Sequence, residues 1–134
     1  MLPVTVDTVR LALHILGATV WVGGQITMLY LLPTVRGLDE AAPAVVARRF
    51  NQIAWGGYAL LVATGVWHLL VIDVGDRTTA YHVTLGVKLL VVALSGIGVA
   101  VHIVGRSKVA LAIGGALGFL AAVAALVLGV VLRG

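Results

Sequence analysis

The chain has 134 residues, of which 61% are hydrophobic and only 10% charged, with a formal net charge of +4. A soluble domain of this size is about a quarter charged, so too few ionisable groups are present to coat a water-exposed surface. The length is one domain's worth, and the lack of cysteine excludes disulfides, thiolate metal sites and cysteine nucleophiles.

Four continuous apolar runs follow one another, each close to the roughly 20 residues that span hydrocarbon. They cover Val9 to Val35 (broken near its end by Pro33), Asn51 to Ile72, Thr79 to Val104, and Val109 to Leu132. Their length and lack of alternation exclude strands. No basic segment precedes the first run, which is too long for a signal core, so no cleavable signal peptide is expected. The expected fold is all-α, a single integral membrane four-helix bundle over residues 1–134, embedded in a lipid bilayer.

Between the first two runs, residues 36–50 place Asp39 and Glu40 before an Ala-rich segment ending in Arg48 and Arg49. Acidic start and basic end suit a short interfacial helix, and a plain polar loop fits equally. Basic residues are scattered rather than striped, which fits loop anchors and not a nucleic-acid partner. One side would carry Arg36, Arg48, Arg49, Arg106 and Lys108. The other would carry Arg10, Arg77 and Arg133, diluted by Asp7, Asp73 and Asp76. The positive-inside rule then puts both termini outside a plasma membrane, an N-out/C-out multi-pass topology.

Ionisable groups inside a bilayer are costly and are functional candidates by default. His14, His68, His82, Lys88 and His102 qualify. In the third run Tyr81, Lys88, Ser95 and His102 recur every seventh residue, with Thr84 one turn from Lys88, which keeps them on one slowly drifting face. Lys88 lies roughly 12 Å along its helix at about 1.5 Å per residue, which strains snorkelling to the interface. His14, Trp21 and Met28 repeat the heptad in the first run, with Gly17 and Gln25 on the same face. In the second, His68 shares a face with Gly65, Thr64, Leu61 and Gly57. Such small residues leave room for something flat and bulky, or let helices approach. The fourth run holds no ionisable residue; Gly114, Gly118 and Ala122 give it a small-residue stripe suited to close packing.

Two imidazoles from different helices are what an axially ligated haem needs. With termini outward, His14, His68 and His82 lie toward the outer side and His102 toward the cytoplasm. Arg10 or Arg77 at the outer rim would pair with the propionates. Lys88 would serve as propionate partner, proton carrier or deprotonated ligand. Copper competes as the ligand, through donors at successive depths (His82 or His14, then Lys88, then His102), although sulfur donors suited to copper(I) are scarce. A hydrogen-bonded structural role is the ordinary alternative for any one histidine. No Ser/His/Asp triad or phosphate loop is assembled, and every carboxylate lies at or beyond a membrane edge, which excludes a paired-carboxylate hydrolase.

LALHILGATVWVGGQITMLYLLP resembles the first helix of the copper-resistance protein D-like (CopD) integral membrane domain. RRFNQIAWGGYALLVATGVW is similar to that domain's second helix, and TLGVKLLVVALSGIGVAVH to its third. The same architecture resembles HemJ-type haem-b protoporphyrinogen oxidases, whose motif has a histidine early in the first helix and a lysine in the third. His14 and Lys88 occupy the matching positions, and His102 matches a later histidine; His68 and His82 belong to neither motif. The resemblance implies a haem or porphyrin role for His14 and Lys88. The expected function is thus a haem-b-binding membrane protein in electron transfer or porphyrin chemistry, of the oxidoreductase type if it is an enzyme. Axial ligation falls first to His14, with His68 as its partner. Copper transport or resistance is one alternative. A non-catalytic helical subunit of a respiratory complex is another, with a membrane redox partner or a second copy as the macromolecular partner.

Overall fold

A computed structural model of the chain describes residues 3–134. It contains four long helices: α1 (Val6–Arg36), α2 (Ala42–Val71), α3 (Thr79–Val104) and α4 (Lys108–Val131), each long and apolar enough to cross a membrane. No strand occurs among the described residues. Large apolar side chains stand exposed along all four helices, among them Leu29, Leu70, Leu90 and Leu120. Lipid contact accounts for that surface, since a water-soluble chain rarely leaves so much apolar area uncovered. The chain is therefore a multi-pass helical membrane protein.

The helix ends are set by local chemistry. Thr5 caps α1 through a reciprocal box with Thr8, and Asp7 sits in the first turn, where the N-terminal dipole favours an anion. Thr78 caps α3 by accepting from the Tyr81 N–H, and Ser107 caps α4 by accepting from Ala110 N–H. Between α1 and α2, the Asp39 carboxylate accepts from the Ala41 N–H at 2.7 Å, and Pro43 stands in the first turn of α2, where its missing N–H costs nothing.

α1 ends at Arg36, one residue beyond the expected Val35, and Pro33 does not break it; one boundary differs from the sequence reading. Residues 42–50 form neither a separate interfacial helix nor a loop: α2 begins at Ala42 and runs unbroken into the apolar run for 30 residues. Nothing in the Ala-rich segment before Arg48 breaks a helix, so it propagates through the arginines.

α1 also contains a π-helical turn at Thr19–Gly23. An extra residue widens the ladder there, and side-chain donors reinforce the carbonyls around it. Gln25 Nε2 donates to the Trp21 carbonyl at 3.0 Å, and Thr27 Oγ1 to that of Gly23 at 2.9 Å. In hydrocarbon no water would take their place.

The chain divides into two compact units at Ile72 and Asp73, the first holding α1 and α2, the second α3 and α4. Each is an antiparallel helical hairpin with its own close backbone approach. In the first, a β-carbon on Gly17 would stand 2.9 Å from the Gly57 carbonyl oxygen and from Leu61 N. In the second, a β-carbon on Gly98 would run into the backbone of Gly118, and one on Gly114 would stand 2.6 Å from His102 N. The small-residue stripe of α4 does what such stripes do in membranes, bringing two backbones into contact.

Candidate functional site

In the first hairpin, residue pairs meet in antiparallel register: Gly17 with Leu61 and Gly57, then His14 with Thr64 and Gly65, then Arg10 with Trp67. The small-residue face of α2 around Thr64 is therefore the face turned to α1. Its space is taken by α1 side chains: Val20 covers Gly57, and the His14 ring lies 3.5 Å from a β-carbon built on Gly65. A cofactor held by His14 does not lie between α1 and α2 at this level.

His14 Nδ1 is 2.9 Å from Thr64 Oγ1, and Thr64 is only 4% exposed. The Thr64 hydroxyl has one proton, which it donates to the Leu60 carbonyl at 2.7 Å, with the Leu61 carbonyl at 3.1 Å. Its oxygen must then accept from His14, so Nδ1 carries the imidazole proton and Nε2 the lone pair. Neutral imidazole in that tautomer, oriented by a hydrogen bond through its other nitrogen, is the form that ligates metals. His68 lies one turn beyond Thr64 on α2 and is exposed.

Near the start of α1, Arg10 is 6% exposed. It pairs with Asp7 at 2.9 Å, and its guanidinium carbon lies 6.0 Å from the centre of the Trp67 ring. Its Nε is buried with no hydrogen-bond partner among the described residues. Because the Asp7 side chain is 77% exposed, Asp7→Asn should cost less than about 1 kcal/mol. Arg10→Ala also strips packing from Trp67 and should cost more. Thermal midpoints of the two variants in detergent check the order.

Further along, buried Trp21 in the π-turn packs on Tyr58 and Trp55, with ring centres 4.5 and 5.4 Å apart. Trp55 and Tyr58 were not singled out from the sequence; their spacing of three on one helix face was the available signal.

In the second hairpin the heptad face of α3 meets α4. Ser95 Oγ, 1% exposed, donates to the Gly118 carbonyl at 2.8 Å. His102 Nδ1 donates to the Leu111 carbonyl at 2.6 Å, which fixes its proton on Nδ1 as well. Lys88 Nζ lies against Gly129, 3.1 Å from where a β-carbon would stand, and no carboxylate pairs with it among the described residues. The polar seam read from the sequence is thus, at Ser95 and His102, a set of donors to α4 backbone carbonyls.

His82 stands apart from this seam. Its Nε2 donates to the Val74 carbonyl at 2.9 Å, holding the loop before α3, and Arg77 lies over the Tyr81 ring at 5.3 Å. Among the described residues no three His, Cys, Asp or Glu side chains converge as a metal cage. No family model matches the chain, and no curated protein or solved structure matches it.

Proposed function

We propose that the chain is a haem-b-binding membrane protein acting in electron transfer or porphyrin chemistry, with His14 as an axial ligand. The observation that carries this reading is the Thr64 hydrogen bond, which orients the His14 ring through Nδ1 as the second hydrogen bond of a metal-ligating histidine does. Arg10 supports it, because a buried Nε without an acceptor among the described residues is a donor suited to a propionate carboxylate. Arg77, the other cation of this reading, is exposed at the loop before α3 in the second hairpin. Bound haem would supply one-electron chemistry. Lys88, the cation set within α3, belongs to the second hairpin, and is the residue we assign to holding or passing a proton. In the same reading both termini face outward from a plasma membrane, a topology that rests on the distribution of basic residues.

The test is an absorption spectrum of protein purified after expression with ample haem. A Soret band is expected, lost in His14→Ala and kept in His102→Ala. No band in the parent protein would overturn the reading, and a full band in His14→Ala would remove that ligand. A changed low-spin signature in His68→Ala would identify the other imidazole of the first hairpin as the second ligand and would require the His14–Gly65 contact to open around the haem. Stoichiometric copper without haem in the same preparation would favour copper handling instead.

A further inference from the structure

α2 is longer than a bilayer requires. Its 30 residues extend about 45 Å at about 1.5 Å per residue, against a hydrocarbon thickness of about 30 Å. The surplus lies at the N-terminal end. Residues 51–71 carry no Asp, Glu, Lys or Arg and suffice to cross, whereas Arg48 and Arg49 are the only such residues in the helix. The two arginines are thereby placed where hydrocarbon gives way to headgroups.

The side they occupy is equally defined. Phe50, Gly57, Leu61 and Thr64 face α1: Phe50 covers Gly24, and the others meet Gly17, Val20 or His14. At 100° per residue, Val45, Arg48 and Gln52 fall on the far side of α2 and Arg49 on the adjoining flank, about 90° from the α1-facing direction. These four line a shallow cavity of about 320 Å³, and Arg48, Arg49 and Gln52 are all exposed. Neither arginine is paired with a carboxylate among the described residues.

We infer that Arg48, Arg49 and Gln52 form a binding site for the phosphate of an anionic membrane lipid, with Val45 and the apolar start of the span receiving the lipid's glycerol and upper chain. Two guanidinium forks and an amide donor match the oxygens of a phosphodiester. Basic residues just outside a membrane span are attracted to anionic headgroups. A zwitterionic lipid brings its own cation and gains less from the pair. The inference is independent of any haem role.

Native mass spectrometry of the full chain in detergent, titrated with phosphatidylglycerol or phosphatidylcholine, tests it. The parent protein should retain phosphatidylglycerol preferentially. At about tenfold per 1.4 kcal/mol and about 1 kcal/mol for each arginine, the double variant Arg48→Gln/Arg49→Gln should lose that preference about thirtyfold. Each single variant should lose about fivefold, which keeps the test decisive if the double variant does not fold. Arg106→Gln/Lys108→Gln removes the same charge elsewhere and should keep the preference. An equal loss in this control would mean general charge attraction and overturn the site, as would unchanged binding in both single variants. Millimolar inorganic phosphate should not displace the lipid; displacement would identify the occupant as a soluble anion and overturn the lipid assignment.

Discussion

Gly98→Ala should weaken the α3–α4 hairpin by about 1–3 kcal/mol, whereas Gly86→Ala, on the same helix, should leave it unchanged or strengthen it by up to about 1 kcal/mol. The chemistry of the two substitutions is identical. What differs is the surroundings: a β-carbon on Gly98 meets the backbone of Gly118 and stands 2.9 Å from the Gly114 carbonyl oxygen, while one on Gly86 has nothing within 4 Å. Backbone atoms cannot swing aside as the end of a side chain can, so the helices must separate. Separation also stretches the Ser95 bond to the Gly118 carbonyl, and a buried hydroxyl loses its acceptor. Unfolding in a graded denaturing detergent, followed by helicity, measures both variants. Equal midpoints would show that the close approach does not hold the hairpin.

On the proposed reading of His14 as a haem ligand, Thr64→Val should lower haem affinity about 10–100-fold while reducing hairpin stability by only about 1 kcal/mol. Valine keeps the shape of threonine but cannot accept from His14, so the ring loses both its orientation and its fixed tautomer. The small stability cost follows from the membrane setting, where a polar group freed in the unfolded chain finds other partners. Thr64→Ser keeps the hydroxyl and should restore most of the affinity. Haem titration of the apoprotein followed at the Soret band, beside thermal midpoints, separates the two effects. A Thr64→Val affinity equal to that of the parent would remove the hydrogen bond from any role in ligation.

The four spans were legible because continuous apolar runs of that length admit one structure in lipid. The partners within them were less so. Periodicity grouped Gly57, Leu61, Thr64 and Gly65 on one face of α2 and attached that face to His68, its neighbour in sequence. In the structure the imidazole against Thr64 is His14. A helical face can be read from one segment, but its occupant belongs to another helix, and only the register between the two supplies it. The same holds for α3: heptad spacing put Lys88, Ser95 and His102 on one side, yet nothing in that spacing says that the acceptors would be backbone carbonyls of α4. Glycine made them reachable, and the glycines of α4 were visible in the sequence as a packing stripe. The apolar run from Asn51 is legible as the crossing part of α2, whereas its helical extension back to Ala42 is not, because an Ala-rich polar stretch carries no apolar signal of its own.

The π-turn in α1 has a consequence for the evolution of the chain. A π-turn is an α-helix with one residue too many, so shortening Thr19–Gly23 by one residue would restore a regular ladder. It would also rotate the half of α1 that carries His14 and Arg10 by about 100° against the half that carries Gln25 and Met28. His14 could then face Thr64, or Phe50 could cover Gly24, but not both. A single-codon deletion at this point would thus re-aim half of a membrane span, and would also disturb the packing of Trp21 on Tyr58 and Trp55 and of Val20 on Gly57.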